Sequence, residues 1–173
     1  MSLLVVGLNH RTAPVEVRER IVFDAARLPQ ALAALSALPG VEEAVIVSTC
    51  NRTELYCAAA DGNAALADWL ASESGVSLVD CLYRLEGEPA VRHVFAVAAG
   101  LDSMILGEPQ ILGQLKDAYR AAQQAGTAGA LLNRLFQQTF AVAKQIRTET
   151  AIGANAVSVA SAGIQLARRI FAN

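Results

Sequence analysis

Apolar positions along the chain follow two rhythms, and the change between them falls near Pro89. Before it, short apolar runs alternate with turn-forming residues. Leu3 to Leu8 is such a run, ended by Asn9-His10-Arg11-Thr12-Ala13-Pro14, which predicts a buried strand followed by a loop. Asp24 can cap a helix reaching Leu38, because Leu28, Leu32, Leu35 and Leu38 recur at helical spacing and Pro39-Gly40 then stops it. Val41 to Val47 is apolar and β-branched, and Leu55 to Ala59 is a second apolar segment, so Ser48 to Thr53 is expected to join two strands. A helical stretch around Ala64 to Ala71 and a strand at Cys81 to Leu85 complete the order β-α-β-β-α-β. That order predicts a ferredoxin-like sheet with helices on one face.

After Pro89 the spacing is helical: Ala90 to Ala99, Pro109 to Ala125, about Ala130 to Thr150, and Val157 to Phe171. Pro109 suits the first turn of its helix. Leu132, Leu135, Phe136, Thr139, Ala143 and Ile146 make a stripe that reads as core packing. The expected fold class is α+β, a ferredoxin-like sheet followed by a helical subdomain. No internal repeat, low-complexity tract or polar linker divides it.

Composition narrows the function classes. With 54% hydrophobic and 17% charged residues over 173 positions, the chain has enough apolar surface for one sizeable core. A net charge of -2 argues against non-specific nucleic-acid binding, which rests on many phosphate contacts. Local basic character survives in Lys116, Arg120, Arg134, Lys144 and Arg147, spread over two predicted helices, where phosphate contacts and plain solvation explain the charges equally well. The N-terminus lacks a basic leader, and apolar runs fall short of the roughly 18 residues of a membrane span, so a cytoplasmic location is expected. Cys50, Cys57 and Cys81 fit no disulfide framework and no metal-ligand spacing, so free thiols and no metal are expected.

Cys50 stands on the predicted strand connection two residues before Arg52, where a guanidinium and nearby backbone N–H groups can stabilise a thiolate. Buried, inert cysteines are nevertheless commoner, and the position alone leaves both readings open. His93 on an apolar helix reads first as a packed side chain, and His10 as a turn residue with local hydrogen bonds. Gln110 and Gln114, four apart, share a helix face that either meets a ligand or faces solvent. Ser103 and Glu108 read first as helix caps.

Three segments in order change these readings. Gly7-Leu8-Asn9-His10-Arg11-Thr12-Ala13-Pro14, then Ser48-Thr49-Cys50-Asn51-Arg52-Thr53-Glu54-Leu55-Tyr56, then Gly100 through Gln114 (GLDSMILGEPQILGQ) together resemble glutamyl-tRNA reductase. The resemblance runs the length of the chain. It implies that Cys50 attacks the ester joining glutamate to tRNA, leaving a thioester that NADPH reduces to glutamate-1-semialdehyde at the start of tetrapyrrole (haem) synthesis. It places Thr49, Asn51, Arg52, Ser103, Glu108, Pro109, Gln110 and Gln114 around the glutamyl group and gives His93 a part in proton transfer. Arg52 suits a carboxylate because its planar fork offers two-point contact.

The resemblance further implies glutamyl-tRNA as partner, a homodimer formed through a region absent from this sequence, and hand-over to a downstream aminomutase. No Gly-rich turn between strand and helix is present to hold NADPH, so the chain reads as a fragment. Its expected parts are a catalytic, glutamyl-tRNA-binding domain over 1–150, divided into a ferredoxin-like part over 1–86 and a helical part over 87–150, and the start of a connecting helix over 151–173. Such a fragment should form the thioester without reducing it. Two other readings of the same residues are a non-catalytic partner-binding module and a weak thiol esterase.

Overall fold

The computed structural model describes residues 2–60 and 64–153. Four strands form one antiparallel sheet: β1 (Ser2–Asn9), β2 (Val41–Ser48), β3 (Arg52–Ala59) and β4 (Tyr83–Glu86). Their spatial order is β2-β3-β1-β4, the ferredoxin-like arrangement expected from the sequence. The crossovers carry α1 (Val15–Arg18), α2 (Leu28–Ser36) and α3 (Ala65–Ser74), and the helical half comprises α4 (Glu88–Ala99), α5 (Gln110–Ala125) and α6 (Ala130–Glu149). Two 3₁₀ turns, Glu19–Ile21 and Ala151–Gly153, extend α1 and follow α6.

The central strands explain why the second half is helical. β3 is buried along its whole length and β1 from Leu3 onward, so both faces are covered, whereas the edge strand β4 alternates half-buried and exposed positions. Thr53 on one face of β3 bonds the Ile21 carbonyl beside the crossover helices. On the other face Glu54 bonds His93 of α4, and Tyr56 packs edge-on against Phe136 of α6. Helices on a single face thus describe the ferredoxin-like part alone, and the helical half covers the face left bare.

β2 lies at the other edge, where unpaired backbone groups would invite a foreign strand. Residues from the end of α5 close it: Ala44 N–H donates to the Thr127 carbonyl (2.8 Å) and the Thr127 hydroxyl donates to the Ala44 carbonyl (2.8 Å). A register shift between Val41 and Glu43 marks a bulge in β2, and the Glu43 side chain beside it reaches the start of α6. Its carboxylate accepts from the N–H groups of Leu131 (3.0 Å) and Leu132 (2.7 Å), serving as the N-terminal cap that Gly129 cannot supply.

Element ends differ from the sequence reading for local reasons. Asp24 caps a turn, accepting from the N–H groups of Ala26 and Arg27, and the helix proper starts at Leu28 and ends at Ser36. Cys81 and Leu82 close a turn onto the Leu78 carbonyl, so β4 begins at Tyr83. α5 begins at Gln110, with Pro109 at its N-cap position. The expected helix over 157–171 lies outside the described residues. Among the described residues, no helix is long and apolar enough to cross a membrane.

Candidate active site

The connection carrying Cys50 is shorter than expected, since Ser48, Arg52 and Thr53 belong to strands and only Thr49, Cys50 and Asn51 span the gap. Thr49 sets its shape. Its N–H donates to the Arg52 carbonyl (2.8 Å), and its hydroxyl accepts from the N–H groups of Asn51 and Arg52 (both 3.2 Å). Arg18 of α1 fastens the loop from outside, donating to the Cys50 carbonyl and to Asn51 Oδ1 (3.2 Å). The backbone of Cys50 is thereby held while its side chain remains exposed. Cys57, within β3, is buried, and burial pushes its thiol up to about 12. Cys81 is half-buried.

Beside Cys50 opens a cleft of about 30 Å³, lined by Thr49, Cys50, Asn51, Arg52, Ser103, Glu108, Gln110, Ile111 and Gln114. Eight of these were singled out from the sequence, and they come together because the 101–109 loop and the first turn of α5 lie against the β2–β3 hairpin. Pro109 stands between two lining residues without lining the cleft itself. Ser103 and Glu108 cap no helix, since α5 has no side-chain cap bond.

Beneath the cleft lies a buried ionic network. Side chains alternate along a strand, so Arg52, Glu54 and Tyr56 project from the same face of β3. Arg52 Nη1 bonds Glu54 Oε1 (2.7 Å), while Nη2 bonds both the carbonyl and Oδ2 (3.0 Å) of Asp102. Glu54, fully buried, also accepts from the hydroxyls of Tyr56 and Tyr83 and lies 2.9 Å from His93 Nε2. Burial alone would raise its pKa, but the His93 hydrogen bond and the Arg52 charge outweigh it and hold the carboxyl down to about 2. Burial, reinforced by Glu54, raises the pKa of both tyrosines, keeping them as donors.

This network needs a glycine. Gly7 of β1 is the register partner of both Glu54 and Tyr83, and a Cβ there would stand 2.6 Å from the Thr53 carbonyl oxygen and 2.9 Å from Glu54 Cγ. His93 therefore sits behind the cleft, committed to Glu54, and is absent from the cleft wall. His10 departs from its expected local bonding role. Its backbone N–H bonds the Asn51 carbonyl (2.9 Å), but its Nδ1 is buried without a partner among the described residues. Burial first, then the charge of Arg52, lowers its pKa, so the ring stays neutral at neutral pH.

Sequence reasoning missed Arg18, Glu54, Tyr83 and Asp102. Only the three-dimensional register brings them to the thiol loop, although Glu54 and Asp102 lay inside quoted segments. Of the five basic residues noted on the helices, Lys116, Lys144 and Arg147 line one groove of about 540 Å³ between α5 and α6 with Phe140. Arg120 is paired with Asp117, and neither it nor Arg134 lines the groove.

Fold and cleft together define an α+β domain with an exposed thiol, on a hydrogen-bonded loop, at a cleft lined mainly by polar side chains. Residues 6–150 match the family model described as the N-terminal domain of glutamyl-tRNA(Glu) reductase. The chain is 58% identical over 172 residues to a glutamyl-tRNA reductase of Stenotrophomonas maltophilia, spanning 99% of this chain and 40% of that relative. It is 54% identical over 176 residues to one of Alcanivorax borkumensis, spanning 100% and 42%. The solved glutamyl-tRNA reductase of Methanopyrus kandleri superposes with a TM-score of 0.77 at 35% identity, over 96% of this chain and 39% of that one. The chain belongs to the glutamyl-tRNA reductase N-terminal domain family, and it spans about 40% of the length of these curated relatives.

Proposed function

We propose that this chain performs the acyl-transfer half of glutamyl-tRNA reduction, with Cys50 as nucleophile. The observation that carries the reading is the exposure of Cys50 at a cleft whose walls are the polar side chains that the family resemblance assigns to the glutamyl group. Cys50 Sγ attacks the ester carbonyl carbon, an S–C bond forms, and the bond to the ribose oxygen breaks. The proton lost by the thiol balances the proton gained by that oxygen as tRNA leaves. One difficult displacement is thus divided through a covalent intermediate.

Arg52 lines the cleft wall almost fully buried and cannot swing, because Glu54 and Asp102 hold both of its terminal nitrogens. It meets the substrate carboxylate as a fixed charge, with Thr49, Asn51, Gln110 and Gln114 as neutral partners. His93 acts through Glu54 as a positioning residue.

Hydride delivery from NADPH is not assigned to these residues, since they include no glycine-rich turn suited to a dinucleotide. The homodimer, the aminomutase that consumes the aldehyde, and a cytoplasmic location belong to the same reading. Mixing the chain with tRNA carrying labelled glutamate, followed by an acid quench, tests the central step. Label should remain on the unmodified protein and be absent from Cys50→Ser. Equal label on both would sink the assignment, and added NADPH should release no semialdehyde.

A further inference from the structure

The cleft at Cys50, about 30 Å³, has room for part of a glutamyl group and none for the nucleoside esterified to it. An ester carbonyl placed at Sγ nevertheless puts the terminal ribose one bond beyond the reacting carbon. The nucleoside must therefore occupy space that adjoins the cleft. A groove of about 510 Å³ does so: it runs between α2 and α5 over the edge strand β2, and Gln114 lines both cavities. Ser48, the residue before the thiol loop, forms part of its floor.

From these features we infer that the groove between α2 and α5 holds the 3′-terminal nucleoside of the acyl donor, an inference that rests on the acyl-transfer reading above. Its volume falls in the usual range for small-molecule sites, about 300–1,000 Å³. Its wall is made of Phe23, Ile46 and a run of alanines on α5, whose small side chains leave the space between the helices open. Phe23 is itself braced by Trp69, stacked on it at 5.8 Å with 4° between the planes. The polar groups suit an uncharged base and sugar. Gln114 and Gln124 offer both donors and acceptors to a base edge, and Asp117, whose Oδ1 accepts from Arg120 (2.8 Å), has its second carboxylate oxygen for a ribose hydroxyl, as acidic residues do in nucleotide sites. Among the described residues no lysine or arginine lines this groove, the nearest being Arg27 over the Phe23 ring (5.5 Å to its centroid), whereas three line the separate groove between α5 and α6. That contrast favours a nucleoside here over phosphate.

Ala121 lines the groove from the middle of α5 and contributes nothing to the thiol cleft. Ala121→Trp should fill the groove and slow acyl transfer from glutamyl-tRNA to Cys50 by about 100-fold, the scale of loss when a reacting group is misplaced. Alkylation of Cys50 by iodoacetamide, which needs no nucleoside, should keep its unmodified rate and show that the thiol loop is intact. Ala125→Trp, at an exposed position on the same wall, serves if the first variant does not fold. Adenosine alone is a second probe, expected to bind the unmodified chain at millimolar concentration by saturation-transfer NMR and to fail to bind the filled variant.

Acyl transfer at the unmodified rate in a folded, filled variant overturns the inference, and so does adenosine binding that survives the filling. Adenosine binding lost on filling, with no acyl transfer even in the unmodified chain, would uphold the groove and remove the acyl-transfer reading instead.

Discussion

At the scale of single residues, the thiol is the simplest part of the site and the arginine beside it the most constrained. Glu54 has four polar partners within one buried volume, and its carboxylate helps make the burial of Arg52 tolerable. Glu54→Ala would leave Arg52 to Asp102 alone and strip Tyr56, Tyr83 and His93 of their shared buried partner, so it should cost about 3–5 kcal/mol in a urea titration. The pH dependence has a definite sign. A carboxyl held at about 2, against an ordinary 4.5, contributes stability above the ordinary value and loses it as pH falls from there through about 2. Urea midpoints should therefore fall over that window, and Glu54→Gln should flatten the fall; an unchanged acid limb would contradict the network.

Cys50 and most of the cleft wall were legible in the sequence because they sit in contiguous, recognisable segments. Glu54, Tyr83 and Asp102 were not, because their meeting depends on which face of β3 turns towards α4 and on how β1 registers between β3 and β4.

At the scale of elements, the strands and long helices followed from periodicity, whereas their ends were decided by hydrogen bonds that periodicity does not carry. α6 shows this best. Nothing near Gly129 in the sequence announces a cap, since the capping carboxylate belongs to Glu43, 88 residues before Leu131. Glu43→Ala should expose the first N–H groups of α6 and destabilise the protein by about 1 kcal/mol, the usual size of a lost N-cap. Amide exchange should quicken at Leu131 and Leu132 well before it does in β1, and equal quickening everywhere would mean that Glu43 acts only through general packing. Gly129 is part of the same device, because a Cβ there would come within 2.6 Å of the Glu43 carboxylate.

At the scale of the whole molecule, α5 organises the surface. Its first turn closes the thiol cleft, one flank forms the apolar groove, and the other flank, with α6, forms the basic one. Arg147 ties these together by donating to the Gly107 carbonyl (3.1 Å), next to Glu108 in the cleft wall. If phosphates of a tRNA follow the basic groove, the logarithm of the affinity should fall linearly with the logarithm of salt concentration, and Lys144→Ala should reduce that slope by about 1. A slope unaltered by Lys144→Ala would place the phosphates elsewhere.

The pairing of Ala44 with Thr127 also bears on synthesis at the ribosome. The two residues are 83 apart, so β2 is made, and can join its sheet, long before the segment that covers its outer edge has emerged. During that interval the nascent chain displays an apolar strand with a free row of backbone groups, the feature that drives strand-to-strand aggregation. The growing polypeptide should be most dependent on chaperones between completion of the sheet and docking of α5, and least dependent once Thr127 has closed over Ala44.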